Sequence, residues 1–477
     1  MQESRDPNDT GSDFALETRT IGPIPENERF GSVRDLFGIW FGMNMSPLTV
    51  VTGALATLGL GLPIGWAILA IVLGNVVGGV VMALHAAQGP QLGVPQLLQA
   101  RGQFGMYGAA IIAVLAVGMF IGFFASNLVI IAQAFGSILP DVDSTLVLIL
   151  ATLTSLIVAS IGYKVLRWVT IASALIVGSL VALSFLWIFV INDTATYDWS
   201  GGQFTLPGFL SMFAIGAVWQ IAYSPYVSDY SRYMPADTGA KGAFWGTYGG
   251  CVTSSVLLMV LGASVGAITR SEDTMSALNS LIGSAGPVVL LGFALATAAY
   301  NSVNTYCSAL CALSVAETFR PGWMPGLTSR LVVTVAIHIC GLAIALAAQS
   351  NFLAFFYDFI TWMLYILIPW SAINLVDYYV VRRGHYAVNE FFIPGGGRYG
   401  NWNVVALTLY VIGVAVQLPF VATGAYTGFL VDDLGGVDIA WIVGLIVSGG
   451  AYYLIARRSA PQQDHEQPSL QTGEVAK

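Results

Sequence analysis

Two asparagines three residues apart, Asn301 and Asn304 in ATAAYNSVNTYCSALC, project from one helix face with Tyr300 and Ser308 beside them. A carboxamide offers both donors and an acceptor, which suits the edge of a neutral heterocycle that alternates N–H and C=O groups. Interhelical hydrogen bonding is the plainer account of either asparagine alone; the pairing with Tyr300 favours a site. In GFFASN, Phe123 and Asn127 stand four residues apart, an aromatic platform beside an amide that reads an edge. Packing is the competing reading there. Tyr223 supplies a second platform immediately before Ser224 and Pro225. Near the start of the chain, Gly42 and Asn44 lie in FGIWFGMNMSPL.

Other chemistry is absent from the sequence. The histidines His85, His338, His385 and His465 are far apart and form no zincin pattern, and no Walker loop, nucleophile elbow or dinucleotide fingerprint is present. An enzyme or ATP-driven pump is therefore not expected, nor a resident metal or cofactor. Ionisable groups near the apolar stretches are few. Asp229 is placed for a local pair with Arg232, while Glu317 and Asp377 are expected to face Arg320 and Arg382 or water. Asp358, in FYDFITW, is the candidate proton-sensitive group.

These residues lie in a chain that is 56% hydrophobic and only 9% charged over 477 residues, with a mean hydropathy of +0.74. That is an integral membrane protein. The net charge of −8 argues against a nucleic-acid partner. Twelve apolar stretches approach the roughly 20 residues needed to span hydrocarbon, so the fold class is all-α with twelve transmembrane helices. The first stretch, 34–60, is interrupted at Gly42, Asn44, Ser46 and Pro47; the sixth, 207–231, at Ala222, Ser224 and Pro225. Broken helices free backbone groups that lipid cannot satisfy, so they must line a polar cavity. Two at matching positions point to a transporter binding site; a pair of packing kinks is the bland alternative.

Placing the N-terminus inside puts every Lys and Arg except Arg270 on the cytoplasmic side. Both termini are then cytoplasmic, with polar tails at 1–33 and 457–477, the latter disordered. The segment 85–105 reads as a cytoplasmic turn plus a short helix, and the four cysteines as small packing residues.

IPENERFGSVRDLFGIWFGMN, GPQLGVPQLLQARGQFG, SPYVSDYSRYMP, the paired asparagines and NFLAFFYDFITWMLYILIPWSAINLVDYYV together resemble the purine–cytosine permease branch of the nucleobase-cation-symport-1 family. The resemblance implies a LeuT-type fold: inverted repeats over 34–191 and 207–381, then two further helices in 403–456. It also implies a substrate site at Phe123, Asn127, Tyr223, Asn301 and Asn304, with contributions near Gly42 and Asn44. Where relatives stack the base on tryptophan, this chain has Phe123 and Tyr223. Sodium-coupled relatives place paired hydroxyls on the eighth span; here Thr297 is followed by Ala298 and Ala299, which tilts the expectation to proton coupling, with Thr297 and Asp358 as coupling candidates. The expected function is cation symport of a nucleobase or related flat heterocycle in the cell membrane by alternating access. The alternative is an uncoupled facilitator or channel for a small neutral solute.

Overall fold

The computed structural model describes residues 22–459 apart from 194–195, 321–322 and 324. Both predicted tails lie largely outside these residues. The helices, in chain order, are α1 (Val33–Met43), α2 (Pro47–Leu58), α3 (Ile64–Ala86), α4 (Met106–Ile138), α5 (Ser144–Ile161), α6 (Tyr163–Leu186), α7 (Leu206–Ile221), α8 (Val227–Ser231), α9 (Gly239–Thr269), α10 (Thr274–Ile282), α11 (Gly286–Tyr300), α12 (Ser302–Thr318), α13 (Leu327–Ala348), α14 (Phe352–Leu375), α15 (Val404–Ala415) and α16 (Ala440–Ser459). Among the described residues, nine segments are long and apolar enough to cross a membrane, or ten when the bent pair α1 and α2 counts as one. Apolar side chains such as Ile157, Leu175, Val332 and Ile339 cover the outside of the bundle, a surface suited to lipid and not to water.

The first break has a local cause. Ser32 caps α1 through a reciprocal capping box with Asp35. At the other end Asn44 leaves the helix, Ser46 accepts from the Leu48 amide, and Pro47 opens α2 at a position where its missing N–H costs nothing. The two halves meet at 61°. The second interruption differs. After α7 the chain passes through a single 3-10 turn, Ser224–Tyr226, and resumes as α8, yet 206–231 continues as one span. Pro225 sits early in that turn, so the ladder is interrupted without a comparable swing.

Glycines let four segments approach backbone to backbone. A β-carbon at Gly53 would fall 1.9 Å from the Met259 carbonyl oxygen, and one at Gly262 1.8 Å from the Val50 carbonyl oxygen, so α2 and α9 touch main chain to main chain. Gly74 and Gly78 on α3 meet α7 in the same way at Phe213 and Ala217. The Gln220 amide then ties this group together, donating to Asn75 at 2.7 Å and Ser255 at 3.0 Å. Elsewhere α5 and α13 are joined by His338 and Ser155 at 3.1 Å, with Phe124 of α4 against the imidazole.

The segment 85–105 is more than a surface turn. It folds into three one-turn helices, Gly89–Leu92, Gln96–Gln99 and Arg101–Phe104, and most of it is buried. Arg101 there pairs with Glu317, both side chains being about one-twentieth exposed. Glu317 therefore faces Arg101 and not Arg320 or bulk water, because the short helices bring a cation from 216 residues away into reach. The Asp229 carboxylate accepts from the Gln96 backbone amide at 2.8 Å, and Arg232 lies beside it as expected, its Nε donating to the Asp229 carbonyl at 3.3 Å. Asp377 does bind Arg382, at 2.9 Å.

Candidate functional site

The interrupted segments, α4 and the α11–α12 junction converge on one small cavity. Phe123 and Asn127 come from α4, Met43 and Leu48 from the first break, Trp219, Tyr223 and Tyr226 from the second, and Tyr300, Val303 and Asn304 from the junction. The enclosed space is about 20 Å³, which suits a water molecule and not a ring.

Asn301 stands between α11 and α12, where the helix is interrupted for one residue. Its side-chain oxygen accepts from Asn127 and from Asn304, both at 3.0 Å, and its own amide donates to the Phe124 carbonyl at 3.1 Å. Ser46 donates to the Asn127 oxygen at 3.4 Å, bringing the first break into the same network. The three predicted amides thus act as one unit. Their remaining N–H and C=O capacity faces the cavity through Asn127 and Asn304.

Asn44 does not itself line the cavity but stands behind two residues that do. Its oxygen accepts from the Trp219 indole at 2.7 Å and the Tyr223 hydroxyl at 2.8 Å, while its amide reaches the Cys251 sulfur at 3.0 Å. A single side chain at the first break therefore holds two aromatic residues of the second. Trp219 stands edge-on to both predicted platforms, 6.0 Å from Phe123 and 6.5 Å from Tyr223. Phe123 also abuts Phe359 of α14 edge-on at 5.2 Å.

Some predicted residues lie elsewhere. Gly42 faces α6, where an added β-carbon would fall 2.6 Å from the Thr170 carbonyl, so its role is close packing. Ala222 and Ser224 are buried at the second interruption but do not line the cavity. Thr297 is fully buried one turn before Asn301, with no hydrogen-bond partner for its hydroxyl. Asp358 is half-buried beside Gly424, its carboxylate 3.5 Å from where that glycine would carry a β-carbon, and it is not part of the cavity wall.

Trp219 is the principal residue missed by sequence reasoning. The expectation that Phe123 and Tyr223 replace tryptophan overlooked it, although it lies four residues before Tyr223 on the same helix stripe. Among the described residues no group of three or more His, Cys, Asp or Glu side chains is arranged to hold a metal.

The fold is shared with solved transporters. Mhp1, described as a nucleobase-cation-symport-1 family transporter and captured closed with bromovinylhydantoin bound, superposes with a TM-score of 0.75 at 18% identity, over 94% of this chain and 98% of that one. A sodium-coupled sialic acid symporter gives a TM-score of 0.64 at 12% identity over 90% and 91% of the two chains. The chain thus shares the fold of these two proteins. Residues 23–444 match the family described as permease for cytosine/purines, uracil, thiamine, allantoin. A putative purine-cytosine permease of Bacillus subtilis, YxlA, is 36% identical over 93% of this chain and 96% of its own. A purine-cytosine permease of Saccharomyces cerevisiae is 26% identical over 90% and 83%. The chain belongs to the purine–cytosine permease branch of the nucleobase-cation-symport-1 family. It is a permease and not an enzyme.

Proposed function

We propose that the protein is a secondary active importer of a nucleobase, or a related flat heterocycle, in the cell membrane, with both termini cytoplasmic. In this reading its spans number twelve: 327–381 contributes two, and the shorter apolar helix at 404–420 contributes another. The first ten form two inverted repeats of five. The observation that carries the substrate class is the bonded unit Asn127–Asn301–Asn304, whose Asn127 and Asn304 line one cavity with Phe123, Trp219 and Tyr223. An edge that needs both donors and acceptors and a face that stacks are the two demands of a base. The purine-cytosine permeases among its relatives favour the same class.

Symport with a proton, in preference to sodium, is supported by the stretch Thr297-Ala298-Ala299, which offers one hydroxyl before Tyr300 where a hard cation takes several oxygen ligands. Alternating access then comes from movement of the glycine-joined group α1, α2, α3, α7 and α9 against α4, α5, α11, α12 and α13. The test is uptake of labelled purines and pyrimidines into proteoliposomes. Accumulation that collapses with a protonophore and is lost in Asn301→Ala supports the proposal. Equilibration without accumulation replaces it with an uncoupled facilitator, and accumulation that follows sodium alone replaces the proton.

A further inference from the structure

A second and larger cleft lies outside the site just described. It measures about 220 Å³ and is walled by Val51 of α2, Gln133 of α4, the 272–274 turn that opens α10, and the Gln349–Leu353 turn into α14. Two of the same helices, α2 and α4, wall the central cavity at other points along their axes, and α14 packs behind it through Phe359. Gln133 is six residues beyond Asn127, a rise of roughly 9 Å. Val51 is one turn past Leu48, and Phe352 is two turns before Phe359, the residue packed on Phe123. The cleft therefore lies further along α2 and α4 than the central cavity, towards the end that the charge distribution places outside.

Its chemistry differs from that of a lipid-facing gap. Glu272 and Asp273 place carboxylates at the rim, and Gln133, Gln349 and Asn351 add amides. Asp273 caps α10, accepting from the Ser276 amide at 3.0 Å and the Ser276 hydroxyl at 2.7 Å, and Gln349 accepts from Ser144 at 3.2 Å, so each keeps only its spare lone pairs for a ligand. Thr274 is 2% exposed, lines the cleft, and has no hydrogen-bond partner for its hydroxyl. A buried hydroxyl left unpaired is costly unless something comes to it. Acceptors from carboxylates and amide carbonyls, with a hydroxyl that donates or accepts, match a small neutral heterocycle carrying N–H donors.

We propose that this cleft is an outer substrate subsite, which binds an N–H-bearing heterocycle before it reaches the amide unit below. The inference rests on the nucleobase reading of the central cavity. Occupancy here would raise the local concentration of solute over a central site that is closed at rest.

The test is equilibrium binding of labelled purines and pyrimidines to the purified full-length protein, with uptake measured in parallel. The expected stoichiometry is two per chain, falling to one in Asn301→Ala and to one in Gln133→Ala. Gln133→Ala and the near-isosteric Thr274→Val are expected to raise the uptake KM at least threefold at unchanged maximal rate and unchanged melting temperature. One site, lost in Asn301→Ala and untouched by Gln133→Ala, overturns the outer subsite while leaving the central reading intact. Binding of sodium alone that disappears in Gln133→Ala makes the cleft a cation site and overturns it as well. No binding of any heterocycle overturns both.

Discussion

Asn127 donates to the carboxamide oxygen of Asn301 at 3.0 Å and so joins the middle of α4 to the one-residue interruption between α11 and α12. The bond is buried, and Asn304 donates to the same oxygen. An interrupted helix is thereby braced by side chains that are themselves the proposed recognition groups, so fold and the proposed selectivity meet at a single atom.

Replacing Asn127 by Leu removes that donor and leaves the Asn301 oxygen with one partner. Loss of a buried hydrogen bond costs about 1–3 kcal/mol, and transport is expected to fall by roughly 10-fold or more. Initial uptake rates normalised to surface abundance check this.

Trp219→Phe keeps an aromatic ring but deletes the indole donor to Asn44. The Asn44 oxygen retains Tyr223 at 2.8 Å, so the protein is expected to fold with little change in melting temperature. Apparent affinity is expected to weaken several-fold. An unchanged KM for every base would exclude Trp219 from recognition.

Gly53→Ala drives a methyl into the Met259 main chain, whereas the exposed Gly118 has nothing within 4 Å of an added β-carbon. Gly53→Ala is expected to lower membrane abundance and melting temperature sharply. Gly118→Ala is expected to be neutral or stabilising by up to about 1 kcal/mol, since alanine favours the helix. Size-exclusion profiles with heating separate the two.

Glu317→Gln leaves the Arg101 guanidinium buried without its counter-charge. Breaking such a pair from one side costs about 3–5 kcal/mol. The double replacement Arg101→Met with Glu317→Leu removes both charges and is expected to recover most of the stability, measured by thermal unfolding in detergent.

Much of this architecture was legible in local chemistry. Asn44, Ser46 and Pro47 form a stop, a cap and a start within four residues, and the 61° break sits where they predict it. The second interruption was legible as a break in helical bonding but not in its mildness, because the bend depends on what packs around Pro225. Among the site residues, the amides stood out because polar side chains are rare in apolar runs. Trp219 did not, because a tryptophan in such a run looks like packing until Asn44, 175 residues away, is brought to its indole. The Arg101–Glu317 pair was hidden for the same reason: charge pairing between distant segments leaves no periodic trace.

The main-chain contacts at Gly53 and Gly262 make α2 and α9 a single stiff beam, with no side-chain cushion to absorb shear between them. Pushing one end therefore displaces the other, so that a pathway opening alternately at its two mouths, as proposed, would not gape at both together. In the proposed alternating access, a leak is then opposed by a mechanical linkage that needs no separate lock.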